Sequence, residues 1–84
     1  MNDILHSPVV GGIGTVVAQV KMLPVPDGWL HCNGKCYNGE EFPELYRLLR
    51  SNKLPRDPSG YFRVPNERTV MPVDSLLMLI VRAV

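Results

Sequence analysis

His31, Cys32 and Cys36 are the densest set of reactive side chains in this 84-residue sequence. Imidazole and thiolate are standard zinc ligands, and the gap between the cysteines falls within the usual spacing of about two to four residues. A structural zinc asks for four ligands, however, and the other histidine, His6, is far along the chain. Placed across a hairpin, the two cysteines would oppose each other and could close a strained disulfide. Two free, partly buried thiols are the third reading. Acyl-transfer chemistry has less to work with: Ser7, Ser51, Ser59 and Ser75 lack a nucleophile-elbow setting, and two histidines are the available bases. The chain therefore reads as a non-enzyme. Arg47, Arg50, Lys53 and Arg56 form a basic run, but no aromatics are interleaved and the net charge is +1. A solvated face explains the run better than a nucleic-acid footprint. Trp29 is either a stacking platform for a sugar or a core anchor. A core this small has strong reason to use the roughly 200 Å² that one large aromatic buries.

The elements that must position these groups follow from turn residues and periodicity. Residues 1–12 carry no periodic pattern and end in Gly11-Gly12, which predicts an extended leader, either an anchoring arm or a disordered tail. Gly14 to Met22 is rich in β-branched residues and predicts a strand, stopped by Pro24 and Pro26. Asp27-Gly28 is a turn pair. Trp29 to Cys32 and Lys35 to Tyr37 then read as two short strands joined by a type I′ hairpin turn at Asn33-Gly34, with a second turn at Asn38-Gly39. Phe42, Leu45, Tyr46 and Leu49 recur at helical spacing and predict a helix over Phe42–Arg50. Glu40, Glu41 and Glu44 suit its positive end, Arg47 and Arg50 its negative end, and Pro43 is tolerated only in a first turn. Lys53 to Gly60 reads as a loop, Tyr61 to Val64 as a short strand, and residues 66–74 show little pattern beyond a bend at Pro72. The apolar run Leu76 to Val84 predicts a strand buried on both faces.

Size and composition bound the rest. One domain of this length buries roughly 60–65% of its unfolded surface, so it gains from a staple or from association. Apolar residues make up 45% of the chain, enough for a core. The sequence shows no signal-peptide pattern, and its longest apolar run is far short of the ~20 residues that span a bilayer. A protein kept soluble in a cytoplasm, with no membrane insertion, is the expectation.

In this order and spacing, four blocks of the chain resemble the phage tail collar domain of tail fibres and related virion proteins of tailed bacteriophages. They are Gly14-Thr15-Val16-Val17-Ala18; Pro26-Asp27-Gly28-Trp29-Leu30-His31-Cys32-Asn33-Gly34; Phe42-Pro43-Glu44-Leu45-Tyr46; and Phe62-Arg63-Val64-Pro65-Asn66. The resemblance covers about residues 14 to 68 and implies a structural role for Gly14, Pro26, Gly28, Trp29, Cys32, Asn33, Gly34, Phe42, Pro43, Leu45, Tyr46, Phe62, Pro65 and Asn66. Cys32 sits at a recurrent family position and Cys36 does not, which implies free thiols, without metal or cofactor. The loop Lys53–Gly60 is shorter than the Gly-rich insertion common in the family. The His-rich, metal-binding tip of some fibres has no matching residues here, so receptor binding by such a tip is not implied.

The expected fold is a small α+β domain over residues 13–84. The Gly14–Met22 and Leu76–Val84 strands pair centrally, short hairpins decorate them, and one helix packs on a face. The expected function is that of a structural module of a phage virion, assembled in the bacterial cytoplasm and docked on a tail, fibre or connector protein. Self-association is expected, and the resemblance implies three copies. The alternative is an adhesin tip whose loops, such as Lys53–Gly60, contact a host glycan or protein.

Overall fold

A computed structural model describes residues 12–70 and 76–84. Among the described residues, five strands and two helices follow in the order β1 (Val16–Val20), β2 (Trp29–His31), β3 (Cys36–Asn38), α1 (Pro43–Leu49), β4 (Tyr61–Arg63), α2 (Glu67–Val70) and β5 (Leu77–Arg82). The chain forms the small α+β fold that the sequence predicts. The leader falls on residues 1–11 and the Pro72 bend on 71–75, both outside the described residues.

The apolar run near the C-terminus is the middle strand of an antiparallel three-stranded sheet, in the order β1–β5–β2. Val16 lies opposite Val81 and Val20 opposite Leu77 on one side of it; Trp29 lies opposite Arg82 and His31 opposite Ile80 on the other. Four consecutive residues, Met78 to Val81, are buried. Since neighbours along a strand point to opposite faces, β5 is covered on both. The second sheet is the antiparallel pair β3–β4, with Tyr37 opposite Phe62.

The core lies between the two sheets and α1. Phe62, at 0% exposure, is its largest fully buried side chain, and Cys32, Leu45, Val64, Leu79, Val81 and Ala83 surround it. Tyr37 meets Phe42 edge-on at 5.6 Å and Phe62 at 6.2 Å, and Tyr46 reaches Phe62 at 6.0 Å. Such pairs contribute about 0.5–1.5 kcal/mol beyond their buried area. Helix α1 delivers Leu45, Tyr46 and Leu49 to this cluster, spans Pro43–Leu49 with the expected end residues Phe42 and Arg50 as its caps, and carries Glu44 and Arg47 at its two ends. The exposed Glu44–Arg47 pair at 3.7 Å adds little.

Three features differ from expectation. Asn33-Gly34 is not a hairpin turn: β2 pairs with β5, and β3 pairs with β4. A type I′ turn needs positive φ at both central residues; Gly34 has φ +78°, but no non-glycine residue described has a positive φ. Asn33 Oδ1 instead accepts the Lys35 N–H at 3.0 Å, a local turn that carries the chain from one sheet to the other. Asn38-Gly39 closes a similar turn, with Asn38 Oδ1 accepting the Glu40 N–H at 2.9 Å. Gly39 is required there by space, since a Cβ would lie 2.7 Å from both the Gly60 carbonyl oxygen and the Tyr46 ring. Second, Trp29 does not anchor the core. Leu30 packs on the central cluster, so strand alternation turns Trp29 and His31 to the other face, where both are half-buried. Third, α2 forms where the sequence shows little pattern.

Candidate functional site

Two of the four family-like blocks meet at the seam between the two sheets. Gly34 N–H donates to the Pro65 carbonyl at 3.2 Å, Asn33 and Asn66 form an isolated β-bridge, and Val64 N–H donates to the Lys35 carbonyl at 3.1 Å. Gly34 suits this position twice over. Its φ is positive, and a Cβ would come within 3.2–3.5 Å of the Asn66 side chain. Asn66 also starts α2, its Oδ1 accepting the Arg68 N–H at 3.0 Å and its carbonyl accepting both Thr69 N–H and Thr69 Oγ1–H.

Glu67 uses both its backbone and its carboxylate at the seam. Its N–H donates to the Cys32 carbonyl at 2.8 Å, its Oε1 accepts the Leu79 N–H at 2.8 Å, and its Oε2 lies 3.1 Å from His31 Nε2. Where β2 ends, this one residue takes over the backbone groups of Cys32 and Leu79 that a longer strand would have paired. Burial pushes the Glu67 carboxyl up, but the Leu79 N–H and His31 outweigh it and the net direction is down.

A second ionic lock holds the loop at 53–60. Arg63 Nε and Nη2 grip Asp57 through both carboxylate oxygens at 2.7 and 2.9 Å, while Arg63 Nη1 donates to the Gly34 carbonyl at 2.9 Å. Asp57 Oδ2 also accepts the Leu54 N–H at 2.8 Å. The Arg63 hydrogen bonds, followed by the Leu54 N–H, hold the Asp57 carboxyl well below its ordinary value, at about 2.

The predicted chemical groups are not brought together. Cys32 is buried in the core at 1% exposure, whereas His31 points to the opposite face and is engaged with Glu67. Cys36 lies on the other sheet, and both thiols are free. Burial, with a smaller push from Glu67, raises the Cys32 thiol to about 11, so it is not a thiolate near neutral pH. Among the described residues, no three His, Cys, Asp or Glu side chains are grouped so as to hold a metal ion. Arg47, Arg50, Lys53 and Arg56 all stand exposed, as do Ser51 and Ser59; Ser7, Ser75 and His6 lie outside the described residues.

Two shallow depressions flank the seam. One of about 490 Å³ is floored by Leu49, Leu54, Val64 and Pro65, with Arg63 and Asn66 at its wall. A smaller one, about 250 Å³, is lined by His31, Asn33, Asn66, Glu67 and Arg68. Their central polar groups, Arg63 and Glu67, are already bonded within the protein. Among the described residues no buried side-chain polar atom lacks a partner. The arrangement can hold two sheets in register; it presents no nucleophile beside a base.

Glu67 and Asp57 escape the sequence reading. Asn66-Glu67 does carry a signal, a capping residue followed by an acid, the start of a helix. Asp57 carries none, because its partner is chosen by the fold of the loop.

Other remaining positions serve the backbone. The Gly14 N–H donates to the Arg82 carbonyl at 2.9 Å, the Pro26 carbonyl accepts the Trp29 N–H, and the Gly28 carbonyl accepts the Ala83 and Val84 N–H groups. Phe42 precedes α1, and its carbonyl accepts the Tyr46 N–H at 2.8 Å.

Known proteins share parts of this sequence. A protein from Escherichia coli strain K12, described as a putative uncharacterized protein StfE, is 53% identical over 37 residues, which is 44% of this chain and 20% of that protein. A probable tail fiber protein of Haemophilus phage HP1 is 43% identical over 61 residues, 64% of this chain and 7% of that protein. The aligned stretches are thus a fifth or less of the length of these relatives. No solved structure matches. The model of the Phage Tail Collar Domain matches residues 14–72, well over half the chain and all four sequence blocks, and the chain belongs to that family.

Proposed function

We propose that this chain is a structural module of a tailed-phage virion that docks on a tail, fibre or connector protein. The observation that carries the reading is the use of the family motif. Asn33-Gly34 and Pro65-Asn66 bind each other across the seam, and Phe62 fills the core. Residues spent on holding a shape serve display and assembly, and family membership supplies the setting. The role is non-enzymatic and uses neither metal nor cofactor. Assembly occurs in the bacterial cytoplasm, the leader over residues 1–12 is the anchoring arm, and three copies associate.

The adhesin alternative has less support. The loop at 53–60 contains no aromatic side chain on which a sugar ring would stack, and Asp57 ties it to Arg63. Mass spectrometry of purified virions, with immunogold labelling to place the chain on the particle, tests the proposal. Recovery in stoichiometric amounts on the tail or fibre is the expected result. Absence from particles of a phage that expresses it would sink the reading.

A further inference from the structure

The core side of the three-stranded sheet extends beyond its cover. Val16, Ala18 and Val20 lie opposite Val81, Leu79 and Leu77, so they share the face on which Leu79 and Val81 enter the core. Yet all three are exposed, Val16 at 47% and Val20 at 43%. The cause is the length of α1: seven residues at about 1.5 Å each make a rod of roughly 10 Å, packed chiefly against β4. Its Leu48 reaches toward Gly14, just before β1, and the Val16–Ala18–Val20 row still stands exposed.

The backbone of the same strand is also open. Arg82 N–H donates to the Thr15 carbonyl and Lys21 N–H to the Leu76 carbonyl, which sets the alternation of the β1–β5 ladder. By that alternation the N–H and C=O groups of Val16 and Ala18 point away from β5, and among the described residues they have no partner. Natural edge strands are usually blunted by a charge, a proline or a bulge. Val-Val-Ala-Gln-Val has neither charge nor proline, and its register with β5 runs without a break. Nor is the patch confined to the strand. Met22 and Leu23 follow it exposed, exposed Leu76 is bonded to Lys21, and exposed Leu48 reaches within 3.0 Å of where a Gly14 Cβ would stand.

We propose that the Val16–Ala18–Val20 row of β1 is the self-association surface of this protein, occupied by the same row of neighbouring copies. The inference deepens the self-association reading above and rests on it. Two properties select a second copy over a foreign partner. The row reads Val-Ala-Val in both directions, so it fits itself in an antiparallel pair or around a symmetry axis. It is also uncharged, so it meets its own copy without the like-charge cost that most surfaces would incur. Ala18 at its centre lets the backbones approach closely.

The test uses sedimentation of the full chain over a range of concentrations, with thermal melting as the fold control. Wild type is expected to associate. Val16→Glu with Val20→Glu is expected to sediment as a monomer with wild-type melting, while Leu54→Glu, at an exposed apolar position away from the row, keeps the wild-type assembly. A gain-of-contact arm does not depend on disruption: in a Cys36→Ser background, Ala18→Cys is expected to form an intermolecular disulfide under mild oxidation. Unchanged association of the double variant, failure of Ala18→Cys to cross-link, or a wild-type monomer overturns the proposal. So does an unchanged mass with a large fall in melting temperature, since another part of the same chain then covers the row. A monomer found in virions overturns this surface and leaves the module reading intact; an associating chain absent from virions does the reverse.

Discussion

The two outer strands of the three-stranded sheet are finished in different ways. On β2, three residues long, the outward Trp29 N–H is taken by the Pro26 carbonyl and the outward His31 carbonyl by the Asn33 N–H. Glu67 then closes the ladder where the strand stops. On β1, five residues long, the outward groups of Val16 and Ala18 meet no described partner and the side-chain row stands in solvent. Two of the four outward groups of β2 are thus taken within the chain, whereas those of Val16 and Ala18 are not. Family resemblance falls on both edges, but the residues that seal a boundary, Asn33, Gly34, Pro65 and Asn66, gather at the β2 end. The difference teaches that the motif describes a seam held within the chain, and that β1 keeps its outward surface open.

Mutations that break the sealed side should dominate stability. Phe62→Ala empties the centre of the core and is expected to cost about 3–5 kcal/mol in urea denaturation. Trp29→Ala, at a half-buried site outside the cluster, is expected to cost about 1 kcal/mol, an ordinary value. Equal losses would mean that Trp29 organises the domain as much as Phe62 does. Glu67→Ala should come next, at about 1–3 kcal/mol, because it leaves the Leu79 N–H without its acceptor. Glu67→Gln retains an acceptor for that group and should lose less. On the open side, Val16→Thr should shift stability by no more than about 0.5 kcal/mol. A larger loss from Val16→Thr in dilute monomer would erase the contrast between the edges.

Acid should release the loop lock only late, at low pH. The folded-state pKa of Asp57 is about 2 against an ordinary 3.8, so the carboxylate favours the folded state. That contribution is fully present above about pH 4 and is lost as pH falls through about 2. Glu67, also shifted down, acts in the same direction. Asp57→Asn should therefore flatten the acid limb of a stability–pH curve; a limb as steep as wild type would remove Asp57 from the account. The smallest effect concerns the thiols. Maleimide at neutral pH should label half-buried Cys36 and spare Cys32 until the protein unfolds. Equal labelling rates would show that the core around Cys32 opens readily.

Legibility in the sequence tracked how local each cause is. The apolar run of β5, the β-branched run of β1 and the helical spacing of Phe42, Leu45, Tyr46 and Leu49 each state their own structure. Asn33-Gly34 misled because a turn pair specifies a local bend but not which strands it joins. The partner of β3 is β4, some 25 residues on, and core packing makes that choice. Trp29 misled because size suggests a centre, while strand parity, set by Leu30, decides the side. Glu67 acts through His31 and Leu79, 36 and 12 residues away, a relation no window of sequence displays.

The closure of the β2 edge has a consequence for how far assembly can go. In polymer terms, a protomer with two open edges is a bifunctional monomer, and copies joined edge to edge grow without limit into filaments. Sealing one edge makes it monofunctional. If copies associate through β1 as proposed, growth would stop at a small closed complex. On that proposal Glu67, Asn33 and Asn66 would act as chain terminators, and opening the β2 edge is the step that would turn a finite assembly into a fibre of sheets.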